Sequence, residues 1–149
     1  MKNLSATPNC VARDMPNELT VYIVSFSYFG NGIPPDPHGH GGGFVFDCRL
    51  LPNPGRDPAF ADLNGLSEPV RAYLQQQPEV HEFLGHVFAI VDMAVANYSA
   101  RHFEHLMVAF GCTGGLHRSV FCAESLASHL QQAGVNVVVR HLALENTQP

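Results

Sequence analysis

Residues 105–119 read His-Leu-Met-Val-Ala-Phe-Gly-Cys-Thr-Gly-Gly-Leu-His-Arg-Ser, an apolar run that breaks on a glycine pair and leads into a helical pattern. The run has strand length, and the periodicity over residues 119–133, closed by Gly134 as a C-cap, predicts a helix after the glycine loop. In an open α/β sheet, ligands bind beyond the carboxyl ends of the strands, where such a loop enters the next helix. Gly114 and Gly115 permit torsions and close approach that a side chain would block. Successive N–H groups can then converge on an anion at the positive end of the helix. Arg118 adds a guanidinium fork matched to phosphate geometry.

The chain on either side alternates in the same way. Residues 19–28 are rich in β-branched and aromatic side chains and predict a buried strand. Residues 30–43 are crowded with glycine and proline, too irregular for a helix or strand, and fit either a lid or a surface loop. Residues 44–51 return to strand composition and stop at Leu51-Pro52-Asn53-Pro54-Gly55. A short helix over 68–77 ends before Pro78, and a longer one runs over 79–98. Its stripe is Val80, Phe83, Leu84, Val87, Val91, Ala94, Val95 and Tyr98. Residues 136–142 form a last strand. The order predicts a three-layer α/β domain with a mainly parallel sheet flanked by helices. Residues 1–18 read as a flexible N-terminal extension, 19–145 as the domain and 146–149 as a tail.

Composition narrows the function. The chain has 149 residues, enough for one core, with 46% hydrophobic and 14% charged residues. The formal charge is -5, and Lys2 is the only lysine. A dense basic face for nonspecific nucleic-acid binding is therefore missing, while a few arginines suit bidentate recognition of phosphate or carboxylate. Cys10, Cys48, Cys112 and Cys122 show no CxxC pair and read as reduced thiols of a cytosolic protein. Neither a signal-peptide run nor eighteen uninterrupted apolar residues occur, so no membrane association is expected.

Cys112, Arg118 and Ser119 also satisfy the Cys-x5-Arg-Ser pattern of cysteine-dependent phosphatases, in which the anion cradle lowers the thiol pKa for attack on phosphorus. That chemistry needs a carboxylic acid to protonate the leaving oxygen, and Asp36, Asp47 and Asp57 are the candidates. Binding without catalysis needs no such partner and is the leading expectation. A glycine turn with a buried cysteine and an arginine salt bridge is the structural alternative. His38 and His40 lack the third and fourth ligands of a closed metal site, so no metal is expected. Cys48 and Cys122 fall in apolar segments, where a thiol behaves as a small hydrophobe.

Val-Ser-Phe-Ser-Tyr over 24–28, Gly-Ile-Pro over 32–34, Asp47-Cys48-Arg49-Leu50-Leu51-Pro52-Asn53-Pro54, Asn64-Gly65-Leu66 and Gly-Cys-Thr-Gly-Gly-Leu-His-Arg-Ser-Val over 111–120 together resemble the C-terminal domain of the RNase adapter protein RapZ family. The resemblance covers about residues 19–145. It implies a phosphofructokinase-like α/β fold and a pocket for an amino-sugar phosphate such as glucosamine 6-phosphate. By position, Asp47 would hold sugar hydroxyls or the amino group, while Cys112, Thr113, Gly114, His117 and Arg118 would surround the phosphate. Arg49 and Asn53 beside Asp47, and Gly115 and Ser119 in the loop, complete the candidate ligand-binding set. Asp47 paired to Arg49 for purely structural reasons is an equal alternative.

Three departures from the family pattern stand out. No Gly-x4-Gly-Lys-Ser/Thr occurs, so ATP binding and other cofactors are not expected. Gly55 stands where the family commonly has histidine, and the tail Glu145-Asn146-Thr147-Gln148-Pro149 lacks the basic residues of RNA-binding members. Small-RNA binding is accordingly the weaker expectation. A homo-oligomer and a protein partner both remain compatible with the sequence.

Overall fold

The computed structural model describes residues 18–146. Cys10, the expected extension up to residue 17 and residues 147–149 of the expected tail lie outside them.

Strand β1 (Thr20–Ser27) alternates its side chains between two buried surfaces. Val21 and Ile23 enter the larger core, and Tyr22, Val24 and Phe26 the smaller one. Burial on both faces is what a central parallel strand requires. β1 pairs in parallel with β3 (His105–Cys112) on one side and β4 (Asn136–His141) on the other, and β2 (Phe44–Asp47) pairs in parallel with β3. The sheet order is β2-β3-β1-β4.

β2 is shorter than expected. Asp47 ends it by accepting the Arg49 backbone N–H at 2.9 Å, which opens a 3-10 turn over Cys48–Leu50. Asn53 and Asp57 repeat the device, accepting from Gly55 and Ala59, and two more single turns follow at Pro54–Arg56 and Pro58–Phe60. Short polar side chains that bond their own backbone two residues on favour such turns over strand.

Helix α1 (Glu68–Gln75) and helix α2 (Pro78–Ala100) meet at Pro78, which opens α2 as well as closing α1. By length and composition α2 could cross a membrane, with a mean hydropathy of 1.3 over its most apolar window. It nevertheless seats Val80, Leu84, Val87 and Val91 in the protein core. Helix α3 (Arg118–Gln132) is the most deeply buried helix, with Leu126 fully buried; Leu126→Ala would cost roughly 2–5 kcal/mol. Gly134, at φ +81°, ends it by donating to Gln131 while Val135 donates to Leu130, a Schellman closure. A helix not expected from the sequence, α4 (Leu142–Asn146), follows β4 directly.

The layers are unequal. α1, α2 and α3 cover the face carrying Val21, Ile23, Val108 and Phe110. The other face, with Tyr22, Val24, Phe26, Met107 and Ala109, meets Leu142 of α4 and the long connection from β1 to β2. His38 in that connection sets its ring edge on Tyr22 at 5.8 Å and stacks on His105 at 3.8 Å. The chain therefore leaves β1 across one face and leaves β3, through α3, across the other. The carboxyl ends of β1 and β3 form the switch point of the sheet.

Candidate functional site

The loop after β3 stands at that switch point. Ser27, the last residue of β1, ties it down by donating from Oγ to the Thr113 carbonyl at 2.7 Å while accepting the Gly30 N–H at 2.9 Å. Gly115 has φ +72°, and a Cβ there would lie 2.8 Å from the Ala143 Cβ and 2.9 Å from the Ser27 nitrogen. Only glycine fits, because both torsion and space are closed to other residues. Gly114 is the opposite case, since a Cβ there would meet nothing within 4 Å. It opens on a crevice of about 180 Å³ lined by Phe26, Ser27, Gly30, Asn31, Leu142 and Ala143 as well.

Cys112 turns away from this crevice. Its side chain enters the core under the helices with 2% exposure, and its thiol donates to Ser119 Oγ at 3.1 Å. Ser119 is itself fully buried. Cys48 and Cys122 are buried free thiols in the same core, and burial pushes the Cys48 thiol well above its ordinary range. A phosphatase nucleophile has to reach phosphorus as a thiolate, whereas Cys112 packs into the core and does not line the crevice.

Arg118 is 5% exposed and does not aim its whole fork at the loop. Its Nη1 donates to the carbonyls of Arg49 and Leu51, both at 3.0 Å. Among the described residues neither the buried Nε nor Nη2 has a hydrogen-bond partner. Half of the expected phosphate fork thus serves the segment after β2, for a reason invisible in local spacing: that segment turns its carbonyls inward.

Asp47 faces the same neighbourhood. Its two carboxylate oxygens accept from Arg49 Nε at 2.9 Å and Nη2 at 2.7 Å, a bidentate pair. The Arg49 side-chain bonds hold the Asp47 carboxyl below its ordinary range, opposed by partial burial, and Arg118 adds a smaller effect in the same direction. The Arg49 guanidinium lies 3.8 Å over the Tyr28 ring. Burial, followed by the nearby Asp47 charge, raises the Tyr28 phenol.

His117 caps the loop from the other side. Its Nε2 lies 3.1 Å from the Phe60 carbonyl, which can only accept, so this nitrogen carries the proton. The ring packs beside Gly55, where a Cβ would approach Cε1 and Nδ1 to 3.2 Å. Asn53 uses its side-chain oxygen on the Gly55 N–H at 3.0 Å.

Asp47, Arg49 and Arg118 are thus brought together on one side of the loop, while Gly114 faces the switch-point crevice and Thr113 is tied to Ser27 through its carbonyl. Asn53 and His117 organise the turns that flank both, and Cys112 and Ser119 lie beneath. Asp36 and Asp57 are occupied as turn acceptors, Asp36 for the His38 and His40 N–H groups and Asp57 for Ala59. The glycine-rich connection carries His38 and His40 to the amino ends of β1 and β3, away from Gly114; only Gly30 and Asn31 reach the crevice. Ser27 and Asn31 were missed from sequence, although a polar residue closing a buried strand at a switch point is a usable signal. Leu142 and Ala143 gave no local signal, since their place depends on α4.

A small parallel α/β domain with an open glycine loop at its switch point is the class that the fold defines. The chain belongs to the RapZ C-terminal domain family, whose model matches residues 19–145. It is similar to the RNase adapter protein RapZ of Escherichia coli O139:H28 (strain E24377A / ETEC) and to that of Shigella boydii serotype 18 (strain CDC 3083-94 / BS512). Each is 41% identical over 132 residues, covering 89% of this chain and 44% of the relative. The chain spans less than half the length of these relatives.

Proposed function

We propose that the domain is a receptor for a phosphorylated amino sugar, such as glucosamine 6-phosphate, within a regulatory protein that reports the bound state to a protein partner. One observation carries the reading: among the described residues Arg118 spends only Nη1, leaving Nε and Nη2 without an acceptor at the start of α3, beside a loop that keeps Gly114 open. An unpaired buried donor costs roughly 1–3 kcal/mol, and a phosphoryl oxygen is the acceptor that charge and helix terminus both favour. Asp47 Oδ2 keeps a lone pair for a hydroxyl or ammonium group beyond the one given to Arg49 Nη2. The relatives are named RNase adapters, which supports a regulatory role through protein contact. Phosphatase chemistry at Cys112 is disfavoured because that side chain packs into the core rather than the crevice.

Isothermal titration with glucosamine 6-phosphate, glucose 6-phosphate and glucosamine tests the proposal. The amino-sugar phosphate should bind most tightly, the neutral-sugar phosphate more weakly, and unphosphorylated glucosamine not at all. Equal binding of glucosamine with and without phosphate, or no binding of either, would remove the phosphate seat from the account.

A further inference from the structure

A second cavity, of about 340 Å³, lies between α1 and α3 and shares no lining residue with the Gly114 crevice. Arg71 and Gln75, one turn apart on α1, line one side; Glu124, Ser125 and Ser128 of α3 line the other, with Phe121 supplying apolar surface. The volume lies near the lower end of what small-molecule sites occupy, roughly 300–1,000 Å³.

The charges in this cavity do not neutralise each other. Arg71 is exposed, and its guanidinium makes no hydrogen bond or ion pair with the described residues. Glu124 is committed elsewhere: its Oε2 lies 2.7 Å from His141 Nε2, and His141 Nδ1 lies 2.7 Å from the Oγ of the fully buried Ser25. Nε2–H donates to Glu124, since a carboxylate only accepts, and Nδ1 shares a hydrogen bond with the Ser25 hydroxyl. Two successive bonds, anchored in the central strand, thus hold the Glu124 carboxylate in place while leaving Oε1 without a partner among the described residues.

A fixed anion and an uncommitted cation in one small cavity complement a zwitterion. We propose that this cavity is a second ligand site, for a free amino acid. The amino acid's carboxylate is received by Arg71 with the Gln75 amide beside it, and its ammonium group by Glu124 with the α3 serine hydroxyls. His141 is a positioning residue, acting on the ligand only through the carboxylate it orients. The site is independent of the sugar-phosphate reading, because neither charged group belongs to the Gly114 loop.

The test is isothermal titration of the full chain with the twenty common L-amino acids, followed for any binder by its carboxamide and its des-amino analogue. At least one amino acid should give saturable binding, and both analogues should lose tenfold or more in affinity. Arg71→Ala and Glu124→Gln should each abolish the response with an unchanged circular dichroism spectrum, and Arg71→Ala should leave the glucosamine 6-phosphate titration as it is in the parent chain. The proposal is overturned if no amino acid binds, if a carboxamide binds as well as its parent acid, or if binding survives both substitutions.

Discussion

The guanidinium of Arg118 lies 3.0 Å from the carbonyl oxygen of Leu51, 67 residues earlier in the chain. The first residue of α3 therefore fastens the segment that follows β2, while Nε of the same side chain has no acceptor among the described residues. Loss of Arg118 should be felt twice. Arg118→Ala leaves two inward-facing carbonyls without their donor, which should cost roughly 2–4 kcal/mol in urea unfolding. In titration it should also abolish sugar-phosphate binding at temperatures where the variant is still folded.

The two loop glycines should separate stability from binding. Gly115→Ala meets Ala143 and Ser27 and must hold φ +72°, so it should lower stability by roughly 2–3 kcal/mol. Gly114→Ala has free space around its Cβ and should melt close to the parent protein, yet it fills the crevice and should weaken sugar-phosphate binding at least fivefold. Differential scanning calorimetry and titration on the pair check both statements.

Asp47 predicts a pH effect of definite sign. Its carboxyl is held below the ordinary range in the folded state, first by the Arg49 side chain. The stability it contributes is present above the unfolded carboxylate range and disappears as pH falls through the lower folded pKa. Both partners are substantially exposed, so the effect should be small and should shrink with salt. Carboxyl-carbon NMR titration should find the Asp47 midpoint moving up towards the ordinary range in Arg49→Ala.

Cys112 should behave as a core residue. In a Cys10→Ser background, Cys48, Cys112 and Cys122 should react with an aromatic disulfide reagent only after unfolding. Cys112→Ala should cost about 1–2 kcal/mol of stability and leave sugar-phosphate affinity within twofold. A tenfold loss of affinity without a change of fold would place the sulfur at the ligand.

What the sequence made legible was local. The run from His105 to Cys112, the glycine pair and the helix ended by Gly134 are adjacent in the chain, and each carries its own torsional or periodic signature. The stripe along α2 is legible for the same reason, with Val80, Leu84, Val87 and Val91 buried as expected. The direction of Arg118 was not legible, because its partners at Arg49 and Leu51 become neighbours only when the start of α3 packs against the turn after β2. Nor was the early end of β2, where strand-like residues yield to a carboxylate that bonds its own backbone. The Cys-x5-Arg-Ser spacing identified a loop in the right place, but spacing does not say which face of the sheet receives the cysteine.

The pairing of the central strand has a consequence for how the molecule is made. β1 precedes both of its neighbours by a long stretch of chain, and Ser25 meets His141, 116 positions further on. Loop closure over such separations is slow, and a parallel sheet offers no hairpin from which to start. A nascent chain arrested on the ribosome before Asn136 would leave β1 as an edge strand, and only β4 turns it into an interior one.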